Sequence, residues 1–225
     1  ELGPDEEPRI HQMVRELAVR AEIPPPRLFL VDDPQPNAFA TGRNPRHGVV
    51  AVTRGLLDLL TPREVRGVVA HELAHIRNRD ILVSTIAACV AGAITWAAHA
   101  AGFLGGTTSD DEEAPSPVAM IGLMLLGPLA ATLVQLGISR SREYLADETG
   151  AAISGDPLAL ADALARLEAT AHAIPSDVAR PATASLFIVN PLTSGERMAR
   201  WFSTHPSTAE RIDRLRALAG SRIAA

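Results

Sequence analysis

The sequence predicts a mainly α-helical protein with a small β-sheet (α+β class), interrupted by two long apolar helices that form a hairpin. Three observations carry that expectation. Apolar stripes of helical period dominate the chain outside one short stretch of strand-like runs. Two uncharged runs, Ile81 to Leu104 and Val118 to Ser139, are each long enough at about 1.5 Å per residue to cross the ~30 Å core of a bilayer. Between the strand-like runs and the first apolar run stands Val69-Ala70-His71-Glu72-Leu73-Ala74-His75-Ile76, whose histidines fall one helical turn apart on one face.

Composition agrees with that division. The chain of 225 residues is 47% hydrophobic with 21% charged residues and a mean hydropathy of +0.11, so its apolar residues are gathered in blocks. A net charge of −5, with no basic stripe interleaved with aromatics, argues against a nucleic-acid role. All 21 basic residues are Arg, which with the abundance of Ala reflects codon bias. The single Cys89 excludes an internal disulfide framework and a cysteine-built zinc site, and it fits a reducing compartment. The chain opens on Glu1-Leu2-Gly3-Pro4 with neither an initiator Met nor a signal peptide, as a fragment or processed product would.

Taken in order, residues 5–22 form an amphipathic helix with Ile10, Val14, Leu17, Ala18 and Ala21 as its stripe, stopped by Pro24-Pro25-Pro26. Strands follow at Leu28–Val31, Ala38–Thr41 and Val49–Thr53, with Gly42-Arg43-Asn44-Pro45 turning between the last two. A sheet placed there offers an edge to an extended peptide, or serves only for packing. Thr61-Pro62-Arg63-Glu64 starts a helix with a capping box, and nothing breaks it before Asp80. After the second apolar run, Asp156-Pro157 begins a packing helix through Leu160, Leu164 and Leu167. Ala184–Val189 is a further strand or buried turn, and Ser207-Thr208-Ala209-Glu210 caps a last helix carrying Ile212, Leu215 and Leu218.

The apolar runs read as membrane spans because so short a chain has little other mass to bury two helices that are apolar all round. Arg77 and Arg79 precede the first run and Arg140 and Arg142 follow the second, while the loop between holds Asp110, Asp111, Glu112 and Glu113. Basic flanks prefer the cytoplasm, so the loop faces outward and the histidine helix inward. A hairpin returns residues near 75 and 143 to the same face of the membrane.

Two histidines at this spacing are two ligands for one metal ion, and Glu72 beside them is a candidate base. A hydrolytic zinc needs a third protein ligand and an open position. Glu143, directly after the second span, can complete the set; Asp147, one turn on, can then accept a hydrogen bond from the far ring nitrogen of a ligand histidine. Asp147, Glu148, Asp80 and His205 are the alternatives as third ligand. His11, His47, His99 and His172 are assigned to surface, loop or packing roles.

Four separated stretches, Asn37 to Pro45, His71 to Asp80, Ser139 to Tyr144 and Phe202 to Pro206, together resemble the HtpX-type membrane-bound zinc metalloproteases, relatives of the CAAX prenyl endopeptidases. The resemblance implies a zincin-like catalytic domain with one zinc ion per chain, held by His71, His75 and Glu143, with Glu72 as base and Asp147 behind a ligand histidine. It implies a stress-responsive endopeptidase in quality control of misfolded or damaged membrane proteins, multi-pass in the bacterial inner membrane with its catalytic domain facing the cytoplasm. Such proteins normally begin with two further spans, so the chain is expected to start just after them, and Ser207 stands where Pro is more frequent. On this reading residues 1–80 are the first half of the catalytic domain, 81–139 the hairpin and 140–225 the second half. Asn37, His205, Arg211 and Tyr144 are the candidates for holding substrate or stabilising the transition state. The competing readings are a membrane scaffold with a structural zinc and no proteolysis, and a soluble binding domain whose apolar runs form its core.

Overall fold

The structure, a computed structural model, describes residues 1–3, 5–105, 117–170 and 206–223. The chain divides into two compact units, one formed by Glu1–Ile81 with Arg140–Ala225 and the other by Leu82–Ser139.

In the first unit, α1 (Pro8–Arg20) buries Ile10, Val14, Leu17 and Ala18, the stripe its period implies. It is shorter than 5–22, because Pro8 takes the first helical turn and Glu22 adopts a left-handed conformation (φ 57) that closes the helix ahead of the prolines. The sheet comprises β1 (Arg27–Val31), β2 (Ala38–Thr41) and β3 (Val49–Thr53) in the order β1-β3-β2. β3 is central, buried along Val50 to Thr53, parallel to β1 and antiparallel to β2. β2 is therefore an edge. Thr53 N–H donates to Asn37 O at 2.9 Å, so alternation along the ladder turns Phe39 and Thr41 toward β3. The backbone groups of Ala38 and Ala40 then face the open edge.

A short helix, α2 (Arg54–Leu59), capped by Thr53 Oγ1, follows β3 without a period long enough to announce it. α3 (Pro62–Arg77) starts on the anticipated capping box between Thr61 and Glu64, and Arg166 also reaches Glu64 at 3.1 Å. Its end departs from expectation. The helix stops at Arg77, Asn78 caps it, Arg79 turns left-handed (φ 56), and α4 (Asp80–Gly105) begins at once. α5 (Pro117–Ser154) gives its residues from Arg140 onward to this unit. α6 (Pro157–Thr170) is capped by Asp156 through Ala159 N–H at 3.2 Å, and α7 (Thr208–Ile223) by Ser207 through Glu210 N–H at 3.2 Å. Two glycines let helices touch backbone to backbone. A Cβ at Gly67 would lie 2.6 Å from Leu160 N, and one at Gly150 would lie 2.9 Å from His71 Cα. The core gathers Leu17, Val50, Val52, Val68, Leu73, Leu164 and Leu215 from sheet and helices alike.

The second unit consists of apolar helix. Among the described residues one helix is long and apolar enough to cross a membrane, Asp80–Ala100, with mean hydropathy 2.0 and only 11% of its apolar window buried. Ile86, Val90 and Trp96 on α4, and Leu125, Leu126 and Leu133 on α5, are exposed. Core helices of a soluble domain would be covered, so this burial speaks against the soluble reading. The second expected span, 118–139, runs along α5. The acidic loop, Ala184–Val189, His172 and His205 lie outside the described residues.

Candidate metal centre

α3 is buried along almost its whole length, which places polar His71, Glu72 and, half-buried, His75 inside an apolar wall. Such groups need partners. α5 supplies one: His71, His75 and Glu143 each present a ligand atom, and these atoms lie within 4.8 Å of one another. The two Nε2 atoms are 3.1 Å apart, and the Glu143 carboxylate oxygens sit 3.7 Å from that of His71 and 3.8 Å from that of His75. The side chain of His71 is 2% exposed, that of Glu143 6% and that of His75 17%, so the cluster opens on the His75 side.

Each imidazole is backed by a carboxylate on its other nitrogen. His71 Nδ1 lies 3.0 Å from Asp147 Oδ1, at an angle short of a straight hydrogen bond. His75 Nδ1 bonds Asp80 Oδ2 at 2.5 Å. Both Nε2 atoms thus turn to the common centre, the arrangement found in metal-ligating histidines. Two imidazoles and one carboxylate, without thiolates, are the donor set of hydrolytic rather than structural zinc sites. The residues fit such an ion.

Arg211, from α7, is buried among these acids. Its Nε and Nη2 donate to the two Asp147 oxygens at 2.9 and 2.7 Å, and its Nη1 lies 3.6 Å from Glu143 Oε2. Nη2 also approaches His71 Nε2 at 3.3 Å. Burial alone would raise the Asp147 carboxyl, but the Arg211 charge, the adjacent His71 ring and the Arg211 hydrogen bonds hold it below the ordinary range. Burial pushes the Glu72 carboxyl up against the pull of His75 and His71, and Ala40 N–H, from the open edge of β2, bonds to it. Burial opposes a charge on His75, yet its bond to Asp80 and the nearby Glu143 and Glu72 leave its pKa raised.

The other sequence candidates fall in different places. Asn37 is buried at the head of β2, where its N–H donates to Thr53 Oγ1 at 2.8 Å. Tyr144 is turned to α7: its ring lies under the Arg214 guanidinium, 4.1 Å away, and burial plus a bond to Glu210 push its hydroxyl up to about 12. It is not gathered with the donor atoms. Glu148, an alternative third ligand, pairs with Arg214 at 3.2 Å on the surface. Asp80, another alternative, stands behind His75, with Arg142 Nε 3.9 Å from its second oxygen. Sequence reasoning missed that role; its only trace is an acid five residues after His75.

The profile of peptidase family M48 matches residues 4–219. A protease HtpX homolog of Syntrophobacter fumaroxidans is 54% identical over 224 residues, spanning 96% of this chain and 78% of that protein. One from Ralstonia pickettii is 52% identical over 221 residues, spanning 97% of this chain and 77% of that protein. The crystal structure of S. mikatae Ste24p shares the fold with a TM-score of 0.59 at 21% identity, covering 92% of this chain and 49% of that one.

Proposed function

The chain belongs to peptidase family M48, and from that premise we propose a membrane-bound, zinc-dependent endopeptidase whose centre is His71, His75 and Glu143 with Glu72 as base. One observation carries the reading: three donor atoms lie within 4.8 Å of one another, two of them on the helix that also holds the buried Glu72. Zinc bound there supplies Lewis acidity, which brings the pKa of water toward ~7 and polarises a carbonyl. Glu72, its carboxyl raised by burial, takes the proton of the attacking water and passes it to the leaving amine. Asp147 orients His71, and Arg211 holds Asp147 in place. The outward backbone groups of Ala38 and the carbonyl of Ala40 at the edge of β2, with Asn37 at its head, hold the substrate as an added strand, while the Ala40 N–H stays with Glu72. Of the oxyanion donors proposed from sequence, Arg211 reaches the centre, Tyr144 faces α7 and His205 lies outside the described residues.

Two spans, 81–104 and 118–139, anchor the enzyme in the bacterial inner membrane, with the catalytic halves 1–80 and 140–225 on the cytoplasmic side. The exposed apolar surface of α4 and the basic flanks at Arg77, Arg79, Arg140 and Arg142 support this topology. Misfolded or damaged membrane proteins are the proposed substrates. Family membership does not favour the scaffold with a saturated structural zinc.

Proteolysis of an unfolded polypeptide in detergent tests the reading, comparing wild type, Glu72→Gln and chelator-treated protein. Glu72→Gln is expected to keep one zinc per chain and to lose roughly 10²–10⁴ of kcat, the usual share of a general base. Near-normal turnover in that variant overturns the mechanism. Cleavage kinetics unchanged by Asn37→Ala overturn the role given to Asn37.

A further inference from the structure

We propose that Asp80 is a positioning residue: it fixes the ring of His75 and so sets the affinity of the centre for its metal, an inference that rests on the metal reading above. The carboxylate is buried, with a side-chain exposure of 5%, and one oxygen bonds His75 Nδ1 at 2.5 Å. A carboxylate on Nδ1 holds the imidazole in the tautomer that leaves the Nε2 lone pair for a cation, and it makes that nitrogen a better donor. Arg142 Nε, 3.9 Å from the other oxygen, opposes the buried charge. The same series, imidazole to carboxylate to guanidinium, runs from His71 through Asp147 to Arg211. The two ligand histidines are thus held alike, one from α5 and α7, the other from the residue that opens α4.

The backbone is bent to make this contact. In an unbroken helix, residue 80 would stand ~140° around the axis from residue 75 and could not face its ring. The chain instead leaves α3 at Arg77 and turns through Arg79 at φ 56, a region that a residue with a Cβ seldom occupies. That turn brings the Asp80 carboxylate back to His75. An uncommon conformation retained beside a candidate centre is accounted for by the contact it makes.

The test uses the full chain in detergent, stripped by chelator and titrated with Zn²⁺ against a competing chromophoric chelator, with the visible spectrum of bound Co²⁺ as a second readout. Asp80→Ala is expected to bind Zn²⁺ about 10–100-fold more weakly and to change the Co²⁺ bands. Asp80→Asn, whose amide oxygen still accepts from Nδ1–H, is expected to fall between it and wild type. Arg79→Gly, free to adopt positive φ, should bind as wild type does, whereas Arg79→Pro, held near φ −65°, should weaken binding with Asp80 intact. Wild-type affinity and spectrum in Asp80→Ala, beside a His75→Ala variant that has lost the metal, overturn the proposal and leave the metal reading standing. Wild-type affinity in His75→Ala as well overturns both. If Asp80→Ala does not fold by circular dichroism, Asp80→Asn decides, and affinity equal to wild type there overturns the proposal.

Discussion

Arg211 is among the least exposed large side chains of the described residues, and it serves two carboxylates at once. A guanidinium in that position is worth more by its absence than its presence. Arg211→Met strands Asp147 as a buried, unpaired charge, so thermal unfolding in detergent should show a loss of about 3–5 kcal/mol. Adding Asp147→Asn should recover part of that loss, because one of the two buried carboxylates that Arg211 serves is then neutral. The sequence offers Arg211 as one of several candidate transition-state donors; in the structure two of its nitrogens are committed to Asp147. Asp80 shows the opposite failure. As a residue type it is conspicuous beside the histidines, but its partner is decided by a backbone turn at Arg79 that no local pattern announces. Helical spacing made the histidine pair legible and put Asp147 one turn from Glu143, whereas the carboxylate behind His75 depends on that turn at Arg79.

Among the elements, those read most closely from sequence are closed by local chemistry. β2 and β3 keep the bounds their alternation and turn residues suggest, and α3, α6 and α7 begin at the anticipated caps. Sheet order was out of reach, because β1 pairs in parallel with β3 across the intervening β2 and only long-range packing chooses that. The glycines that join helices were equally silent. Gly150→Ala would press α5 against the backbone of His71, and Gly67→Ala would press α6 against α3. Each should cost about 1–3 kcal/mol by overpacking, but only Gly150→Ala should also weaken Zn²⁺ binding in the chelator competition. The cap of α3 adds a pH dependence. Burial would raise Glu64, but bonds from Thr61 and Arg166 outweigh it and hold the carboxyl below its ordinary value. An unfolded glutamate titrates near ~4.3, so this contribution is complete above that pH and is lost as pH falls through the lower folded value. Stability of Glu64→Gln, followed by thermal unfolding from pH 6 to pH 3, should accordingly fall less steeply with acid than that of wild type.

At the scale of the molecule, the apolar unit decides how the protein behaves in solution. With 11% of the α4 window buried, the exposed Ile86, Val90 and Trp96 need a hydrocarbon environment. Membranes carrying the chain should retain it through high salt and alkaline washing and release it to detergent, as read by immunoblot of the fractions; release by alkali alone would contradict the anchoring. Uncharged length made the apolar run of α4 legible from sequence, because a bilayer demands little beyond length and apolarity. The site was legible only in part, because its donors come from both sides of the insertion. That division has a consequence for biosynthesis. The first unit is made from two stretches of chain, and 72 residues (143 − 71) separate His71 from Glu143. At translation rates of about 5–20 residues per second, a nascent chain carries His71 and His75 for roughly 4–14 s before its third donor is made. Through that interval both apolar runs are made while the proposed donor set is still incomplete, so capture of a metal by all three residues can only follow their synthesis.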